Sequence, residues 1–565
     1  MSLKRKIFEA KRLLRHQSIV FFLFGIAGIG FVFYLFYYYN SNKYTEFDHP
    51  KGLQGTSDEL PSILDFETVF KKGVLGNFEK NPGLERKIPP DLPGERGRPI
   101  RTDLHSPEVN RAMSEYGFNV VASDLASLNR SIPDVRMTEC KYWHYPEDLP
   151  TVSVVIAFHN EEHLKTQLEE HLKQFGDRVK FIRNTEREGL IRTRTNGALA
   201  AAGEVVIFLD AHCEVNYNWL PPLLAPIRRN RKIMTVPVID GIDMNTWEYR
   251  RVYGDADRHF RGIFEWGLLY KETPISEREK RGRRYNSQPF RSPTHAGGLF
   301  AIDKKWFAEL GYYDPGLQIW GGEQYELSFK IWQCGGGILF VPCSHVGHVY
   351  RNHMPYNFGK LTGKPVISTN LIRVIKTWMD EYGKYYYIRE PQAKYRKPGD
   401  ISAQLALRKR LQCKSFDWYM RNVAYDVFDS YPLLPENVVW GEARNPATGK
   451  CIDTLGHSVP GTMGASTCHG YGGNQLIRLN KMGQLTQGEW CITSEYGNLR
   501  TGHCTKGTVD GPFSYDHATK QIRVSGDDED KCLTVEADPS ETGLSAAKCN
   551  EESEFQKFIW TEKYS

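Results

Sequence analysis

A carboxylate and an imidazole stand two residues apart where an apolar run stops. The stretch is VVIFLDAHCEVNYNW at 205–219, and the pair is Asp210 and His212. Short β-branched and aromatic runs bounded by polar residues predict buried parallel strands, and open α/β sheets bind ligands beyond the carboxyl ends of such strands. A hard carboxylate oxygen and an imidazole nitrogen placed there can share one divalent cation. That cation would neutralise a pyrophosphate as it leaves a sugar. Asp-x-His alone is a common pair, so the reading depends on its neighbours. Glu323 follows Gly321 and Gly322, which either bring backbone close to a ligand or simply make a turn. His348, taken singly, is more often structural than ligating.

These groups need a scaffold. Residues 152–158, VSVVIAF, predict a strand that ends in His159-Asn160-Glu161. HLKTQLEEHLKQF at 163–175 carries apolar residues at 164, 168, 172 and 175, one stripe of a helix. VKFIR at 179–183 predicts another strand, a second helix opens near Gly189, and VVIFLD follows. Strand, helix, strand, helix, strand is one half of a doubly wound nucleotide-binding sheet. The absence of G-x-G-x-x-G argues against a dinucleotide cofactor.

The chain has 565 residues, enough for two or three domains, and 40% hydrophobic residues with 12 Trp mark it as globular. Residues 1–17 hold six Lys or Arg against Glu9, a net +5 that equals the charge of the whole chain. The remainder is formally neutral, which excludes the basic folded face of a nucleic-acid binder. Residues 18–39 are uncharged and suit a bilayer of roughly 30 Å, with Tyr34 and Tyr37 to Tyr39 at the far end. We read residues 1–17 as a cytoplasmic tail, 18–39 as an uncleaved transmembrane anchor and 40–90 as a polar stem in a lumen. Asn129-Arg130-Ser131 is a glycosylation sequon whose neighbours Leu128 and Ile132 predict burial and no use.

None of the 11 cysteines precedes Cys140. Cys451, Cys491 and Cys532 recur 40 and 41 residues apart, and Cys468, Cys504 and Cys549 follow them by 17, 13 and 17 residues. Three repeats are too few to close a propeller, so a β-trefoil over 438–565 fits better.

Several longer segments resemble one family. AFHNE at 157–161, REGLIRTR at 187–194, FLDAHCE at 208–214, AGGLFAID at 296–303, IWGGEQYELSFKIWQCGG at 319–336 and CSHVGHVYR at 343–351 look like the polypeptide N-acetylgalactosaminyltransferases. That resemblance implies a GT-A catalytic domain over 91–420 and a ricin-type lectin trefoil in a type II Golgi membrane protein. It implies retaining transfer of GalNAc from UDP-GalNAc to Ser or Thr of proteins or glycopeptides. Asp210, His212 and His348 would hold Mn²⁺, with Asp210 and Glu323 at the reaction centre. Arg187, Trp320, Arg351 and Tyr356 would contact or cover the donor. Asp453, His469, Tyr471 and Asn474 would hold a GalNAc in the first repeat, whereas Thr493 and Thr534 replace the corresponding Asp in the others. The implied disulfides are Cys140 with Cys343, Cys334 with Cys413, and the pairs within repeats, which leaves Cys213 over.

The chain departs from the family in two places. The first strand runs through Glu162 directly into the helix of 163–175, so one helix-strand unit of the nucleotide half is absent, together with its acidic pair. This sets up an alternative: a catalytically impaired splice form, or a lectin-like regulatory product without a complete UDP site. His295 stands where the family usually has Met.

Overall fold

The computed structural model describes residues 68–79, 92–159, 165–252, 258–353, 357–495, 497–504, 512–524, 530–538 and 541–562. The expected tail and anchor, most of the stem, and Tyr356 lie outside them. No helix among the described residues is long and apolar enough to cross a membrane. The chain divides into two compact units, Gln54–Asn437 and Val438–Thr561.

In the first unit an eight-stranded mixed sheet positions the site. Its strands include β1 (Val152–Ala157), β2 (Val205–Asp210), β3 (Cys213–Val215), β4 (Ile233–Ile242), β5 (Phe290–Arg291), β6 (Phe300–Asp303) and β7 (Gly337–Val349). The order across the sheet is β5-β7-β4-β6-β2-β1, and β3 pairs with the far end of β7. β1 runs parallel to β2 and β7 parallel to β4, whereas β6 lies antiparallel between β2 and β4. β2 is buried along Val205–Leu209 because helices cover both faces of the sheet centre. The core gathers Phe208, Phe300, Phe307, Phe329 and Trp332. Helices α1 (Lys165–Lys173), α2 (Gly189–Ala200), α3 (Leu220–Arg229), α4 (Glu323–Gln333) and α5 (Val366–Trp378) pack on or beside it.

The structure corrects two sequence expectations. Residues 179–183 form no strand, and Val179 and Ile182 are exposed. In a doubly wound half the third strand pairs with the second, not with the first, and among the described residues no strand lies beside this segment for it to join. Among the described residues β1 pairs only with β2, and its Val154 and Ile156, with Phe158 just beyond it, are 45%, 51% and 41% exposed. For the same reason Leu168 and Leu172 on the stripe of α1 are only half-buried. The other correction is Asn129, which is exposed beside an 87% exposed Leu128, because the turn ending Val120–Leu125 points both into solvent.

The second unit is all-β, with a 13-stranded sheet assignment and its own core. The residue after the first cysteine of each repeat, Ile452, Ile492 and Leu533, is buried at 1%, 1% and 0% exposure. The 40-residue periodicity thus places one apolar side chain per repeat around a shared interior.

Candidate active site

β2 ends at Asp210, a tight turn carries His212, and β3 then pairs with β7 so that Cys213 lies opposite His348. Strand register therefore brings a residue 136 positions away beside the Asp-x-His pair. One donor atom from each of Asp210, His212 and His348 falls within 4.8 Å of the others. His348 Nε2 is 3.5 Å from Asp210 Oδ2, and the two imidazole rings are 4.6 Å apart. Among the described residues the buried Nδ1 of His348 has no hydrogen-bond partner. One hard carboxylate and two imidazoles suit Mn²⁺ or a similar divalent cation, so the residues present fit such an ion. Burial opposes ionisation of Asp210, yet its hydrogen bond to His348 and the charge of Arg194 hold its carboxyl far below the usual range. Burial, with the neighbouring His348 and Arg351, pushes the His212 imidazole down to about 4, so it is neutral and able to ligate at pH 7.

Glu323 opens α4 and is 3% exposed. Gly321 and Gly322 precede it at φ 100° and 89°, a backbone that a side chain would strain, and the Gly321 N–H donates to Glu323 Oε2 at 2.7 Å. Burial raises the Glu323 pKa. Trp320 lies half-buried in the preceding loop, and Ile319 bridges Gly189, two residues beyond Arg187. Asn370 of α5 fastens that loop by donating to Gln318 O and Gly321 O, both at 2.8 Å. Arg187 donates to the backbone carbonyl of Asn357, and Arg351 Nη2 lies 3.5 Å from His212 Nδ1. The metal cluster, Arg351 and the Gly321–Glu323 turn can thus serve one phosphate-leaving reaction, with donors for anionic oxygens on one side and a buried carboxylate on the other.

Comparison with known proteins decides the family. Residues 153–307 match glycosyl transferase family 2, residues 279–354 the N-terminal domain of galactosyltransferase, and residues 439–558 the ricin-type β-trefoil lectin domain. The Caenorhabditis elegans protein named probable N-acetylgalactosaminyltransferase 7 is 55% identical over 606 residues, covering 100% of both chains. The chain belongs to the N-acetylgalactosaminyltransferase family. The Drosophila melanogaster N-acetylgalactosaminyltransferase 7 is 49% identical over 92% of each chain, and the human protein of that name 44% identical over 78% of this chain and 73% of its own. A crystal structure of GalNAc-T7 with UDP, GalNAc and Mn²⁺ superposes with a TM-score of 0.79 at 39% identity, covering 92% of this chain and 99% of that one. The worm alignment spans 606 residues against 565 here, so at least 41 of its positions face gaps in this chain.

As a member of this family the chain carries a second cluster, in the trefoil. Asp453 Oδ1 accepts from Leu455 N at 2.7 Å and Asn474 Nδ2 at 2.6 Å, and Oδ2 accepts from Gln475 Nε2 at 2.8 Å and from Ser466 Oγ. His469 Nε2 is 3.1 Å from Asn474 Oδ1, and its ring stacks 5.6 Å from Tyr471, which is 86% exposed. The first repeat thus assembles carboxylate, amide and an exposed aromatic face, the groups that grip a sugar edge and its apolar face. In the third repeat Thr534 takes the carboxylate's place and Gln556 donates to its hydroxyl.

Disulfides join Cys140–Cys343, Cys334–Cys413, Cys451–Cys468, Cys491–Cys504 and Cys532–Cys549. Cys213 is free and half-buried. Sequence reasoning missed Asn370, Phe118 and Arg194. Phe118 supports the Arg351 guanidinium at 5.3 Å, a contact no local pattern announces. Arg194 had a signal: it stands between Ile191 and Ala198 on the buried face of α2.

Proposed function

We propose that this chain transfers GalNAc from UDP-GalNAc to Ser or Thr hydroxyls of proteins or glycopeptides, retaining the anomeric configuration and using Mn²⁺. The observation that carries this is the convergence of Asp210, His212 and His348 within 4.8 Å at the carboxyl end of β2, in a chain of this family. The bond from the anomeric carbon to the β-phosphate oxygen breaks. A bond to the acceptor oxygen forms on the same face, and the acceptor proton passes to the departing phosphate. Mn²⁺, when bound, neutralises charge on the pyrophosphate. Arg351 adds a cationic donor to the leaving group, Arg187 and Trp320 hold and cover the nucleotide, and Tyr356 is assigned to the donor by the family resemblance alone. Glu323, kept from water, orients the sugar and the acceptor.

The same reading assigns residues 1–17 to the cytosol, 18–39 to a Golgi membrane anchor, 40–90 to a stem, 91–420 to the catalytic domain and 438–565 to the lectin. Among the described residues, the unpaired side of β1 and the strandless 179–183 support the absence of one helix-strand unit from the nucleotide half.

The test is transfer of labelled GalNAc by the full chain to a Ser/Thr peptide and its glycopeptide, with calorimetric UDP binding alongside. Mn²⁺-dependent transfer is expected, and Asp210→Asn should lower it at least about 100-fold by removing several kcal/mol of charge stabilisation. A folded chain that neither transfers GalNAc nor binds UDP with Mn²⁺ would replace this reading with the lectin-like one.

A further inference from the structure

A carboxylate that ligates a metal through one oxygen must be held by the other. Asp210 Oδ2 faces His348 and lies 3.1 Å from the point where a Cβ on Gly298 would stand. Oδ1 is taken by Arg194 Nη2 at 2.9 Å. The same Nη2 donates to Gly298 O at 2.8 Å, and Nη1 donates to Gly297 O. The guanidinium is 1% exposed and sits over the Phe208 ring at 5.8 Å. The negative charge of the buried Glu323 carboxylate also favours the charged form of this guanidinium. One rigid fork therefore joins the end of β2, the Gly297–Gly298 backbone and the surroundings of Glu323.

We propose that Arg194 is a positioning residue for the metal: it fixes the rotation of Asp210 so that Oδ2 alone is presented beside His212 and His348, and locks that carboxylate to the Gly297–Gly298 backbone. This rests on the metal-site reading above. A planar guanidinium satisfies three acceptors in a fixed geometry, which a lysine ammonium at the end of a flexible stem cannot do. Groups that orient metal ligands in this way typically set metal affinity by 10- to 100-fold.

The experiment measures Mn²⁺ binding to the full chain by the loss of the free-ion electron paramagnetic resonance signal, without any turnover. Wild type, Arg194→Lys, Arg194→Gln and Asp210→Asn are compared, with near-ultraviolet circular dichroism as the check on folding. The expected result is a dissociation constant raised about 10- to 100-fold in both Arg194 variants, and no added loss when Arg194→Gln is combined with Asp210→Asn. Arg194→Lys keeps the buried charge, so it provides the reading where Arg194→Gln does not fold. A purely structural role would lower thermal stability and leave Mn²⁺ affinity of the folded protein within threefold of wild type, which would overturn the inference. No Mn²⁺ binding by the wild type would overturn the metal-site reading itself, and this inference with it.

Discussion

At the scale of single residues, two positions separate what charge does from what shape does. Asp453 is the carboxylate that holds Asn474 and Gln475 together in the cluster we propose as the first repeat's sugar site, both of which donate to it. Asp453→Ala should abolish any preference for glycopeptide over bare peptide while leaving transfer to bare peptide intact. Unchanged preference in a competition assay would remove the first repeat as the sugar site. His295 is fully buried, with Nδ1 2.9 Å from Ser328 Oγ, and burial followed by the charge of Arg194 pushes its imidazole down to about 3. The unfolded chain therefore binds the proton first, below about pH 6.5, and stability falls on acidification from there toward pH 3 at about 1.4 kcal/mol per unit. His295→Met should remove about 2 kcal/mol of the loss between pH 7 and pH 5 in urea unfolding, with the likewise depressed His259 and His212 left to supply the remaining slope. Identical slopes in the two proteins would show that His295 is charged in the fold. The carboxylate and imidazole at 210 and 212 are legible in the sequence as a pair at a strand end because the strand end is local information. Arg194 and Asn370 were not singled out, because their partners at 297, 298, 318 and 321 become neighbours only through the sheet and the packing of α5.

At the scale of elements, the sheet centre followed its apolar runs, and the sheet edge did not. VVIFLD and VSVVIAF became β2 and β1 because each had a neighbour to complete its backbone hydrogen bonds. VKFIR also carries strand formers in Val179, Phe181 and Ile182 and is irregular, since propensity does not make a strand where no described neighbour pairs with it. Among the described residues the result is an outer strand, β1, with exposed Val154 and Ile156, the kind of edge natural sheets blunt with lysine. Ile156→Lys should therefore reduce self-association. Sedimentation of the wild type should show concentration-dependent species that the variant lacks, and a strictly monomeric wild type would mean that the edge is covered. The helix period of 163–175 was legible too, but not that its stripe would find little to pack on.

At the scale of the whole molecule, the two units are held by different means. The first closes its core over large aromatic side chains with two disulfides, and the trefoil has three within about 120 residues, closing loops with separations of 17, 13 and 17. Each such loop contributes about 3 kcal/mol by restricting the unfolded chain. Mild reduction should accordingly lower the trefoil's calorimetric transition more than that of the first unit, and equal shifts would argue that the two melt as one. The sugar site proposed for the trefoil adds a matter of timing. All four lone-pair positions of the Asp453 carboxylate already accept hydrogen bonds from Leu455, Asn474, Gln475 and Ser466. An incoming hydroxyl must trade places with one of these donors, so the exchange gains about 1 kcal/mol or less per bond. A grip of that kind is short-lived, and a densely decorated acceptor would be let go and recaptured many times, its residues sampled as a walker samples a path.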